Sequence, residues 1–159
     1  MIDQVFPKRV VQEYIDGVLS GEIVVSKFVR MAVERHIDDL KNAHVRGLKF
    51  DEDRATEACD YYPNIARHTL GEWDREPFVL SGWQAFIIWV VFGWRWIKTG
   101  YRRYRKVYIE IARKNGKSSL SAAIGLNVAF FDEPVEAGAE VYCVAVNERQ
   151  AGIVFREMV

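Results

Sequence analysis

Apolar residues recur at helical spacing through the first part of the chain. Val10, Val11, Tyr14 and Val18 share one face over residues 8–19, and Val25, Phe28, Val29, Ala32, Val33, Ile37 and Leu40 do so over 22–43. Recurrence at i, i+3, i+4 and i+7 predicts two amphipathic helices. Gly21 separates them and Gly47 closes the second. Asp51, whose carboxylate can accept from first-turn amides, predicts the start of a third helix reaching His68, with Pro63 placed to break it. Gly71 to Pro77 reads as a linker. A boundary is expected there, between a helical segment, 1–70, and a second region, 71–159.

Beyond the linker the pattern changes. Residues 83–92 are apolar nearly all round, which predicts a buried helix. Val107 to Ile111 is rich in β-branched residues and predicts a strand. A turn, 112–116, leads into a helix expected from Ser118 to Phe131, and 132–138 forms a loop. Glu140 to Val146 predicts a second strand, and Asn147 with Gln150 resembles a capping box opening a last helix. Strand, turn, helix, strand, helix is a βαβ unit, so the fold expected is α/β with a parallel sheet.

Composition narrows this little. Half the residues are hydrophobic and 28% are charged, which is globular usage. Lys+Arg and Asp+Glu stand at 22 each, so the net charge is silent about partners. The distribution says more: residues 51–76 hold eight acids against three arginines, and 98–117 hold eight Lys/Arg against Glu110 alone. That swing hints at polyanion binding over 98–117, set against the commoner solvated face. Cys59 and Cys143 match no ligand spacing, which points to a reducing cytosol. No signal peptide is visible after Met1, and the apolar stretch 85–94 is about half of what a membrane span needs. His36, His44 and His68 show no metal spacing and are expected at the surface or as caps.

Candidate chemistry gathers at Gly116-Lys117-Ser118. A phosphate-binding loop needs inward N–H groups, a lysine for the β/γ-phosphates and a hydroxyl for Mg2+. The helix expected from Ser118 adds its positive N-terminus. The tripeptide alone is a weak signal, and Ile111 stands where the Gly-x4-Gly-Lys-Ser pattern has its first glycine. Its place between a predicted strand and a predicted helix favours phosphate binding over an ordinary basic βα turn. Phe130-Phe131-Asp132-Glu133 imitates a strand ending in two carboxylates, but Asp132 comes only fourteen residues after Ser118. The helix fills that length, so the pair reads as its last turn.

The run 108–123, Tyr-Ile-Glu-Ile-Ala-Arg-Lys-Asn-Gly-Lys-Ser-Ser-Leu-Ser-Ala-Ala, resembles the Walker A region of the large terminase subunit, the DNA-packaging ATPase of tailed bacteriophages. That family tolerates loss of the first glycine and places a basic residue in the loop. Pro77-Phe78-Val79-Leu80, Trp83-Gln84 and Phe92-Gly93 resemble its adenine-recognition segment. Residues 138–142 and 148–151 resemble its second strand and following helix.

The resemblance implies a P-loop ATPase binding ATP and Mg2+ through Arg113, Lys114, Asn115, Gly116, Lys117, Ser118 and Ser119. Lys117 would neutralise the β/γ-phosphates and Ser118 would ligate Mg2+. Gln84 would read the adenine edge, its amide offering both donor and acceptor. Without the resemblance Gln84 reads as a rim residue and Trp83 as core. Arg113 would act in catalysis on γ-phosphoryl charge, against the alternative of a solvated loop arginine. Arg102, Arg103, Arg105 and Lys106 could contact DNA phosphates. The family function is ATP-driven translocation of double-stranded phage DNA in the host cytoplasm, by a homo-oligomeric ring working with a small terminase subunit and a portal protein, with no membrane involved. In that family the Walker B aspartate and catalytic glutamate lie on a later strand, followed by a nuclease domain, so an N-terminal fragment with a C-terminally incomplete sheet is expected. Two alternatives stay open: another P-loop, helicase-like ATPase, and a prophage remnant without catalysis.

Overall fold

The structure, a computed structural model, describes residues 7–64, 67, 76–112, 115–134, 138, 140–156 and 158. Most of the linker expected at 71–77 lies outside the described residues, as do Arg113 and Lys114. Contacts divide the chain into two units, Met1–Asp60 with Leu80–Lys106, and Tyr61–Val79 with Val107–Val159.

The first unit holds α1 (Lys8–Ser20), α2 (Lys27–Asn42), a 3-10 turn (Ala43–Arg46), β1 (Leu48–Phe50), most of α3 (Glu52–Asn64), α4 (Gly82–Gly93) and β2 (Trp94–Trp96). Local chemistry sets the starts of two helices. The Ser26 hydroxyl accepts from Val29 N at 3.4 Å, and Asp51 Oδ1 accepts from Arg54 N at 3.3 Å. α1 packs against α2 and α4. Since α4 is buried on nearly every side, its all-round apolar sequence needs no polar face. β1 and β2 pair antiparallel, Leu48 opposite Trp96 and Phe50 opposite Trp94. Gly93 permits this closeness: a Cβ there would sit 2.5 Å from the Phe50 ring. After β2 the chain doubles back, with Trp96 N donating to Tyr101 O at 2.9 Å and Arg103 N to Trp94 O at 2.8 Å.

The core of this unit is aromatic and has a charge at its edge. Phe50 packs against His36, Trp89 and Trp94 with ring centroids 5.1 to 5.6 Å apart. The fully buried Trp94 donates its indole N–H to His36 Nδ1 at 3.0 Å. Burial holds the titration of His36 down at about 4, opposed by the nearby Asp39 carboxylate. The imidazole is therefore neutral at pH 7, as an acceptor must be. Asp39 has no exposed surface and pairs with Arg46 and Arg103. The surface or capping role expected of His36 is thereby corrected. The inward face of α2 is corrected too: Val33, His36 and Asp39 are buried, while Phe28 and Leu40 are exposed. A charge paired inside the protein can occupy a core position that apolar periodicity assigns to leucine.

The second unit holds the end of α3, then α5 (Lys117–Phe130) and α6 (Glu148–Arg156), which pack together. Tyr61 meets Phe131 and Tyr62 meets Phe78, at centroid distances of 5.0 and 5.9 Å. The strands expected at 107–111 and 140–146 are described residues, yet neither is paired. The parallel sheet of the βαβ reading is therefore absent among the described residues, where β1 and β2 form a two-stranded antiparallel sheet. Propensity measures how well a residue fits a pleated surface, and a strand exists only where neighbouring backbone groups answer its own. The architecture of the described residues is mixed, mainly helical with this small sheet. No described helix is long and apolar enough to cross a membrane.

Burial of the His36 imidazole makes stability depend on pH. The unfolded imidazole takes up a proton near 6.5, the folded one only near 4. The contribution is therefore complete above pH 6.5 and lost as pH falls toward 4. Urea unfolding followed by tryptophan fluorescence should show wild type losing about 3 kcal/mol across that window. His36→Asn, which keeps an acceptor but cannot titrate, should lose much less. Equal losses in the two proteins would remove His36 as the cause.

Candidate functional site

Gly116 precedes α5 in the left-handed conformation, φ 67° and ψ 21°, where a side chain would be strained. The first intrahelical bond runs from Leu120 N to Gly116 O at 2.9 Å. Within the first turn, the amides of Lys117 and Ser118 consequently have no partner inside the helix. Among the described residues no side chain caps this helix start. Asn115 Nδ2 donates to Ala112 O at 3.3 Å, bracing the turn from its other side. Lys117 is exposed, and Ser118 and Ser119 are half-buried. Leu120, Ala122, Ala123 and Asn127, buried along α5, hold the helix against its own unit. The result is a fixed helix N-terminus at the surface, with a cation and two hydroxyls in its first turn. That arrangement favours an anion.

The turn at the far end of α5 also follows the chain's pattern. Phe131 N and Asp132 N both donate to Asn127 O, at 2.9 and 3.0 Å, so Asp132 and Glu133 lie in the turn that closes the helix. Among the described residues no group of His, Cys, Asp and Glu is arranged to hold a metal ion.

Gln84 does something the sequence reading missed. Its Oε1 accepts from both the amide and the hydroxyl of Ser81, each at 2.9 Å, and the residue is buried. This is the glutamine half of a capping box, satisfying the N-cap amide of α4. The Ser-x-x-Gln spacing at 81–84 was the available signal. With Oε1 engaged by Ser81, the Nε2 hydrogens are the part of the amide left to offer.

The basic run divides in a similar way. Arg103 is committed to Asp39 and lies over the Trp94 and Tyr104 rings, and Arg102 lies over Phe92. Arg105 and Lys106 are exposed.

Residues 82–159 match the family described as terminase large subunit, ATPase domain. The match begins just before Gln84, and Pro77 to Leu80 lie outside it. Comparison with curated proteins and with solved structures gave no match.

The capping role of Gln84 separates from any role in binding. Gln84→Ala should destabilise the first unit by about 1 kcal/mol, the usual cost of a lost cap. Gln84→Glu keeps the acceptor and should stay near wild type in thermal unfolding. A wild-type melting curve for Gln84→Ala would show that the Ser81 bonds contribute nothing.

Proposed function

Residues 82–159 belong to the ATPase domain family of the large terminase subunit, and on that premise we propose that the start of α5 is the nucleotide-binding site of this chain. The observation that carries the reading is the uncapped helix start after a left-handed Gly116, with Lys117 and Ser118 in its first turn. The amides of Lys117 and Ser118, without a backbone partner among the described residues, and the helix dipole favour a triphosphate. Lys117 neutralises the β/γ-phosphates, Ser118 supplies a hydroxyl to Mg2+, and Asn115 and Ser119 line the turn. Arg113 and Lys114 complete the loop, with Arg113 positioned in sequence to stabilise charge on the γ-phosphoryl group. Mg2+, when bound, draws charge from the phosphate oxygens. In the fold of this family, 107–111 and 140–146 serve as strands of a parallel P-loop sheet. The function follows as nucleotide binding to drive double-stranded DNA into a phage capsid, with the small terminase subunit, the portal protein and further copies of the ATPase as partners. Arg105 and Lys106 remain the basic residues proposed for DNA phosphates.

Titration of ATP by calorimetry tests the site. Lys117→Ala should weaken binding by about 10- to 100-fold, the loss of one charge-assisted contact. Equal affinities would refute the phosphate reading.

Base recognition is a separate matter. We propose that the Nε2 hydrogens of Gln84 donate to a purine ring nitrogen, an acceptor that ATP and GTP both carry. Discrimination between them should then be small, well below the 1–3 kcal/mol of a bidentate pair. Gln84→Glu, which keeps the cap, should weaken both nucleotides alike. A sharp preference of wild type for ATP would restore the two-bond reading and require the Ser81 bonds to break.

A further inference from the structure

Ser81 meets one atom of Gln84 twice. Its backbone N–H and its hydroxyl both lie 2.9 Å from Gln84 Oε1. A backbone N–H can only donate, so the atom it meets must be the amide oxygen, and the side chain cannot be turned end for end. A carbonyl oxygen has two lone pairs, and here one takes the N–H and the other the hydroxyl. The nitrogen is in the opposite state. Among the described residues Nε2 makes no hydrogen bond, and it is not one of the buried polar atoms that lack a partner, so solvent reaches it. The fold holds Ser81 in place on both sides. Leu80 is buried, and Gly82 packs so closely on α1 that a Cβ there would lie 3.2 Å from the Tyr14 Cβ. Ser81 itself is extended, with φ −71° and ψ 163°. The backbone path therefore brings position 81 to the amide whatever side chain stands there, but only a hydroxyl supplies the second donor.

We propose that Ser81 sets the base selectivity of this chain: by filling the second lone pair of Oε1, its hydroxyl leaves the Gln84 amide a donor only. The inference rests on the reading of Gln84 as a base contact. Beside the N7 acceptor that all purines share, adenine carries an amino group and guanine a carbonyl oxygen. An amide with a free acceptor takes the adenine amino group and opposes the guanine oxygen. An amide that can only donate has nothing to offer the amino group. Its two Nε2 hydrogens suit N7 of either base and the guanine oxygen as well. Ser81 is thus a positioning residue: it touches no base and acts through Gln84. Removing its hydroxyl frees a lone pair, and the adenine preference that a bidentate glutamine confers should return.

Calorimetric titration of the full chain with ATP and with GTP, each with Mg2+, gives the ratio of the two affinities, which a merely structural cap would not move. Wild type should bind the two within about twofold of each other. Ser81→Ala should favour ATP by about fivefold or more, the lower end of what a bidentate amide contact discriminates. Ser81→Gly should do the same at less cost to the helix start, which covers the case of an unstable alanine variant. Ser81→Thr, which restores a hydroxyl, should return to the wild-type ratio. A ratio unchanged in both Ser81→Ala and Ser81→Gly would overturn the proposal, as would a wild type that already prefers ATP sharply. The reading of Gln84 fails separately. If Gln84→Glu binds both nucleotides as wild type does, there is no base contact for Ser81 to govern, and the proposal falls with it.

Discussion

A carboxylate with no access to water, Asp39, sets the terms for the whole first unit. An isolated charge in that position would cost several kcal/mol, so the chain must bring cations to it. It brings two, Arg46 from the turn after α2 and Arg103 from the segment after β2. Arg103 lies far along the sequence from Asp39. Satisfying the carboxylate therefore fixes where the chain must return after β2, and the doubling back at 96–103 follows. Arg103 also lies over Trp94, whose indole N–H is answered by His36 one helical turn before Asp39. One face of α2 thus presents a neutral acceptor and an anion, and the β2 segment presents their partners.

This polar pairing explains which parts of the fold were legible in the sequence. The helices were, because 3.6-residue periodicity survives whatever they pack against, and α4 read as buried because it has no polar face. The orientation of α2 was not. Its inward positions, His36 and Asp39, are polar, and its exposed positions include Phe28 and Leu40, so hydrophobicity points the wrong way. Only the long-range partners Arg103 and Trp94 resolve this, and they are invisible to a local window. The two β-branched runs, 107–111 and 140–146, are unpaired among the described residues for a related reason. A helix makes its hydrogen bonds within itself, whereas a strand depends on a neighbour that a local pattern does not specify.

The candidate site divides along the same line. Gly116, Lys117 and Ser118 fell at a helix start as expected, because a turn, a glycine and a helix onset are all local. The capping role of Gln84 is legible too, in the Ser-x-x-Gln spacing at 81–84. A group that already accepts two hydrogen bonds from its own helix start has less to give a ligand.

The basic stretch 98–117 shows why counting charges along a sequence measures so little. Its cations do different work. Arg103 answers a buried anion, Arg102 covers an aromatic ring, Lys117 stands at a helix N-terminus, and Arg105 and Lys106 face solvent. An arginine paired with a buried carboxylate cannot serve a phosphate without leaving that carboxylate unanswered. The field such a run offers a polyanion is therefore set by its uncommitted members and is weaker than its composition suggests. At the site proposed for the start of α5 the backbone adds to Lys117: the amides of Lys117 and Ser118, which have no backbone partner among the described residues, and the helix dipole.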